Sequence, residues 1–231
     1  KEMSTLFENL LGTDTVYILL QLEGAAYLFT VLVILVLAKL IHDWIVPYKL
    51  NQELTENDNK AVAVSFSGYL FAVGIIMVGI FNTPATIEGG VQTRTDLYRD
   101  LFDTFIWSLI GILLLHVARF VNDKILLAKF NNVKELVTDR NIGTAAAMWG
   151  SYVGSALIIR AAILGESDSF LTGFVSTLIY FLMGQIGFIL FGWIYQVISR
   201  YDLHAEIERD NISAGVAFGL SLTAIAVLLS G

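Results

Sequence analysis

Cysteine is absent from all 231 residues, which excludes thiolate metal sites, iron–sulfur clusters, disulfides and a cysteine nucleophile. Charge is scarce, at 15% of residues, and basic charge scarcer, with 14 Lys and Arg against 21 Asp and Glu. A net charge of -7 argues against nucleic acid as a partner, since binding phosphates needs clustered cations on one face. Histidine occurs three times. His42 and His204 are read as linker residues and only His116 as intramembrane, which leaves no facing pair for bis-histidine haem. No Gly-rich phosphate loop, zinc-binding His pair on a helix or Gly-x-Ser-x-Gly elbow is present, and His116 has no evident Ser and Asp partners. The expectation is therefore a protein that is not an enzyme and carries no cofactor or metal. No basic, apolar, small-residue cleavage pattern follows Lys1, and Gly231 comes directly after an apolar run, which reads as part of a longer protein.

What is there is hydrocarbon. Hydrophobic residues make up 56% of the chain and mean hydropathy is +0.70, above the share of about 45–50% usual in soluble domains. Runs of the roughly 20 residues needed to cross a bilayer fall near 17–41, 61–81, 101–120, 142–164, 171–198 and 212–230. The same junction precedes three of them: Asp58-Asn59, Asp139-Arg140-Asn141 and Asp210-Asn211. The first two linkers also share Asp43/Asp123, Ile45/Ile125, Lys49/Lys129, Asn51/Asn131 and a Glu-Leu pair, Glu53-Leu54 and Glu135-Leu136; the third keeps Glu206-Ile207. The fold class expected is an all-α membrane protein, six transmembrane helices forming three parallel-oriented hairpin repeats. The repeats cover 17–81, 101–164 and 171–230, after an external segment 1–16. Ile45, Leu50 and Leu54, with Ile125, Phe130 and Val133, predict short amphipathic linker helices.

Ten Lys and Arg lie on the linker side (among them Lys39, Lys60, Lys129 and Arg209) and four on the other: Lys1, Arg94, Arg99 and Arg160. The positive-inside rule then puts linkers 42–60, 121–141 and 199–211 in the cytoplasm and the N-terminus outside. Odd spans are bulky, whereas even spans carry Gly68, Gly150, Gly154, Gly215 and Gly219 at spacings that let helix backbones approach. Even spans should pack inside and odd ones face lipid.

Asn59, Asn141 and Asn211 read first as helix caps. The alternative is a polar ring at a pore mouth, with Asp58, Asp139 and Asp210 drawing cations. Arg160 lies near the outer interface, in reach of Glu23 or Asp103 for an ion pair. Gln185, between Gly184 and Gly187, is the strongly polar residue closest to the middle of its span; it either bonds a neighbouring helix or lines a solute path.

The stretch LHAEIERDNISAGVAFG, Leu203 to Gly219, resembles the signature of the YjfL-like family of bacterial inner-membrane proteins of unknown function, and Asn59–Gly68 and Asn141–Gly150 resemble its Asn-x-Ala-rich-Gly element. The resemblance implies a multi-pass inner-membrane protein built of four-helix units, sometimes doubled. Six spans depart from that count. It brings no catalytic residues. Two functions stay open: a pathway for an ion or small polar solute, towards which the reading leans, or a scaffold recruiting soluble partners from its cytoplasmic linkers. The bilayer is the expected partner, together with a homo-oligomer or a membrane complex.

Overall fold

The computed structural model describes residues 13–81, 87–88, 91–92, 97–129, 131–164 and 169–231. The expected external segment 1–16 lies outside these as far as residue 12, and so do Lys1, Arg94 and Phe130.

In hydrocarbon a backbone must satisfy its own N–H and C=O groups, so long apolar runs become helix. These are α1 (Thr13–Ile45), α3 (Lys60–Phe81), α4 (Leu97–Ile125), α6 (Ile142–Ile163), α7 (Phe170–Ile198) and α9 (Ile212–Leu229). Among the described residues these six are long and apolar enough to cross a membrane. The 22 residues of α6 span about 33 Å, the full hydrocarbon core. Between them lie three six-residue helices, α2 (Leu50–Thr55), α5 (Asn132–Val137) and α8 (Leu203–Glu208). Between α3 and α4, β1 (Ile87–Glu88) and β2 (Val91–Gln92) pair antiparallel.

Two long helices overrun the boundaries read from hydropathy. α1 continues to Ile45, where Pro47 biases the preceding Val46 away from helical backbone. α4 continues to Ile125. Ile45 and Ile125 therefore end long helices instead of belonging to linker helices, and Leu50, Leu136, Leu203 and Ile207 are the residues by which the short helices pack into the core.

The helices α3, α6 and α9 form a row with α6 in the middle; α4 packs against α1, α3 and α6, and α7 lies across α6 and α9. Small side chains make the row possible. Gly150 faces the Gly219 carbonyl, and Gly215 faces the Gly143 carbonyl, so the α6 and α9 backbones touch. Gly68 seats the ring of Trp149, and Gly154 the ring of Phe188 from α7. Bulky residues such as Leu28, Phe29, Trp193 and Ile194 remain exposed, as lipid-facing side chains do. Burial does not simply alternate, however. The apolar stretch of α6 is 78% buried, but that of α9 is 33% buried, less than the 44% of α4, the third span, because among the described residues α9 stands at the edge of the row.

Candidate functional site: three linked junctions and a buried polar cluster

Each helix of the row begins in the same way. A short helix ends, one residue takes the left-handed backbone region, and an asparagine opens the next long helix. The left-handed residues are Asp58 (φ 45°), Arg140 (φ 52°) and Asp210 (φ 60°). Asp tolerates this region better than Arg does. The asparagine Oδ1 then accepts from an N–H of the first helical turn: Val62 N to Asn59 (3.2 Å), Thr144 N to Asn141 (2.7 Å) and Ala214 N to Asn211 (3.2 Å). Its Nδ2 donates to the carboxylate of the preceding short helix, Glu53, Glu135 or Glu206, at 2.8–3.0 Å.

The first two asparagines also reach forward. Asn59 Nδ2 donates to the Leu136 carbonyl (2.9 Å), and Asn141 Nδ2 donates to the carbonyls of Ile207 (2.8 Å) and Glu208 (3.2 Å). Each junction is thereby fastened to the next. Both asparagines are buried, and so is Glu135, where burial pushes the carboxyl above its ordinary range while the Asn141 amide pulls it back.

The three expected mouth carboxylates do not hold equivalent places. Asp58 and Asp210 occupy the left-handed position, whereas Asp139 sits one residue before it and pairs with Lys134. Asp210 Oδ1 accepts from Gly143 N (3.0 Å), which ties the third junction back to the second. Gln185 is 5% exposed, with both amide atoms lacking a protein partner. Asp103 pairs with Arg99 one turn away (4.0 Å), Glu23 is half-buried on α1, and Arg160 crosses Gly79 of α3 with its Nε unpartnered; no ion pair joins Arg160 to Glu23 or Asp103 among the described residues.

A second feature brings together residues far apart in the sequence. His42 belongs to α1 and is buried at 1% exposure, with its ring centroid 5.6 Å from that of His116. The tyrosine ring of Tyr69 lies 4.3 Å from His42 and 5.2 Å from His116, and Tyr152 lies 5.7 Å from Tyr69. The lone-histidine argument against haem therefore fails. What leaves no room for a macrocycle between the imidazoles is the Tyr69 ring packed on both. One turn on, Arg119 Nε meets Asp123 (3.4 Å) and the guanidinium carbon stands 5.8 Å from the Tyr152 centroid. Asn122 donates to Ser151 (2.9 Å) and Ser155 (3.2 Å) across the α4–α6 contact.

This cluster is under-satisfied. His42 Nδ1, both nitrogens of His116, Arg119 Nη1, the Tyr152 hydroxyl and Asn122 Oδ1 are buried without a hydrogen-bond partner among the described residues. Buried polar atoms are paired in the great majority of cases, so such a concentration marks a place where polar chemistry is kept at a cost. The crevice beside Arg119, Asp123, Ser151 and Tyr152 is too narrow for a water molecule. The signal that finds His42 is its place in the linker correspondence: one residue before Asp43, it matches Asn122 before Asp123, and both are buried.

Six apolar helices crossing between these polar ends define a multi-pass transmembrane protein. A family model described as Domain of Unknown Function (DUF350) matches residues 13–163 and 169–231, and the chain belongs to that family. It is similar to a UPF0719 transmembrane protein of Aquifex aeolicus (strain VF5), 22% identical over 183 residues that cover 79% of this chain and 62% of that relative. The chain thus spans less than two thirds of the relative's length. No solved structure matches.

Proposed function

We propose that this protein moves an ion or small polar solute across a bacterial inner membrane, and that the His42–His116–Arg119–Asp123 cluster is the polar step in that path. The observation carrying this reading is the set of buried, unpartnered polar atoms inside the helices, since ionisable groups kept within a membrane serve pathways and relays more often than packing. In this reading the three hairpins are copies of one unit, a reading supported by the repeated Asp/Asn junctions. The junction helices face the cytoplasm and the N-terminus lies outside, in line with the Lys and Arg count.

Flux of protons and of potassium through purified protein in liposomes tests it. The His116→Phe variant, which fills the same space, should keep the fold and lose most of the flux; the Asp58/Asp139/Asp210→Ala variant tests the entrance separately. Wild-type flux no greater than that of empty liposomes, from folded protein, would sink the proposal.

The second reading, a membrane scaffold, draws on the closed packing of Gly150 on Gly219 and on the crevice that admits no water. It predicts that the cluster variants alter stability and leave permeability unchanged.

A further inference from the structure

The row of helices is made by one interface used twice. Counting from the capping asparagine of each helix, the positions two, six, nine and thirteen residues on are Ala61, Ser65, Gly68 and Ala72 in α3, and Gly143, Ala147, Gly150 and Gly154 in α6. In both helices this leading face is buried: α3 presents it to α6, and α6 presents it to α9. The corresponding face of α9 is Ser213, Ala217, Leu220 and Ala224, and all four are exposed.

The receiving face behaves in the opposite way. Four, eight and fifteen residues after the asparagine stand Gly215, Gly219 and Ala226 in α9, all buried against the row, and Ala145, Trp149 and Ala156 in α6, of which the alanines are buried and Trp149 packs over Gly68. In α3 the same positions are Ala63, Ser67 and Gly74; Ala63 and Ser67 are exposed, and nothing lies within 4 Å of a Cβ built on Gly74.

The polar fastenings are open at the same two ends. Among the described residues Asn211 Nδ2 has its Glu206 partner but no forward carbonyl, whereas Asn59 reaches one and Asn141 two. A cleft of about 390 Å³ opens beside it, lined by Tyr201, Glu206, Asn211, Ser213 and Ala214. At the other end, the Leu54 carbonyl is the counterpart of the acceptors Leu136 and Ile207, and among the described residues no preceding asparagine reaches it. Asp58, the counterpart of Asp210, has no side-chain partner among the described residues, whereas Asp210 caps Gly143 N. The matching N–H in α9 is that of Ser213.

We propose that a second copy of this chain covers the leading face of α9 with the receiving face of its α3, continuing the row head to tail from copy to copy. Asn211 then donates to the partner copy's Leu54 carbonyl in the cleft, and the partner copy's Asp58 accepts from Ser213 N–H. A second copy satisfies both ends with groups already present, whereas a hairpin of the same chain packed on α9 would cover that face and give no cross-linked product in the test below. Two unlike faces meeting make a heterologous contact, which closes into a ring when the rotation permits.

The chain's lack of cysteine makes the test direct. Full-length Ser67→Cys and Ala217→Cys, carrying different tags, are co-expressed and oxidised in native membranes. Cross-linked product containing both tags, and at least about tenfold less from either variant expressed alone, is the expected result for a heterologous contact. Equal cross-linking of one variant with itself means a face-to-face dimer and overturns the proposal, as does no product from the mixture. Ala217→Trp, at an exposed site where folding is not at stake, should shift the purified protein from oligomer to monomer by light scattering. An unchanged mass equally overturns it.

Discussion

Asn141 does three things with one amide. It caps α6, holds the Glu135 carboxylate and fastens the next junction by its carbonyls. A cap alone is worth about 1 kcal/mol, and a buried carboxylate and carbonyl left without a donor cost about 1–3 kcal/mol more. Asn141→Ala should therefore destabilise by at least about 2 kcal/mol, against about 1 kcal/mol for half-buried Asn211→Ala, which has no forward bond to lose. Thermal midpoints of the purified variants check the order; equal shifts would mean that the forward bonds contribute nothing. Capping was legible in the sequence because Asn before an apolar run has a local meaning. The forward bonds join residues 77 and 66 positions apart, and no local pattern carries that. The unequal places of Asp58, Asp139 and Asp210 have a local cause: a left-handed turn can seat Asp or Arg, and at the second junction Arg140 takes that place, so the shared letter Asp aligned a residue one position too early.

At the scale of the element, hydropathy located the long helices to within a few residues, since burial in lipid leaves the backbone one option. The exceptions are the overrun of α1 and α4, where charged and polar residues continue the helix beyond the apolar run. That overrun matters most, because it takes His42 out of the linker and sets it against His116. Glycine spacing announced close packing but not its partners: Gly150 meets Gly219, while Gly68 meets an aromatic ring. Substitutions separate the two kinds of glycine. A side chain at Gly150 or Gly215 runs into the backbone of the facing helix, which has no rotamer to yield, so Gly150→Leu or Gly215→Leu should cost more than about 3 kcal/mol and disrupt assembly. Gly74→Ala meets open space and should hold or gain up to about 1 kcal/mol from helix propensity. Yield and thermal midpoint in detergent distinguish them, and wild-type behaviour of Gly150→Leu would defeat the close contact of α6 with α9.

For the whole molecule, the fastenings run in one direction, Asn59 to the second junction and Asn141 to the third, so all three junctions must lie at one end of the bundle. Lys129 stands at that end, paired with Asp202 across the second and third linkers, and Ser169 stands at the other, capping α7. An odd number of crossings separates them. Cysteines placed singly at Lys129 and Ser169, in a chain with no other thiol, should react with a membrane-impermeant maleimide from opposite faces. Reaction of both from the same face would overturn the crossing of α6. The sign of the result decides a separate matter. Lys39, Lys60, Lys124, Lys129 and Arg209 crowd the junction end, and cytoplasmic loops hold such an excess, so the cysteine at 129 should react only after the inner face is exposed. If it reacts in intact cells and the one at 169 does not, the bundle stands as described but reversed in the membrane. The Glu–Asn junctions would then face outward, and a solute entering beside them would have to come from outside the cell.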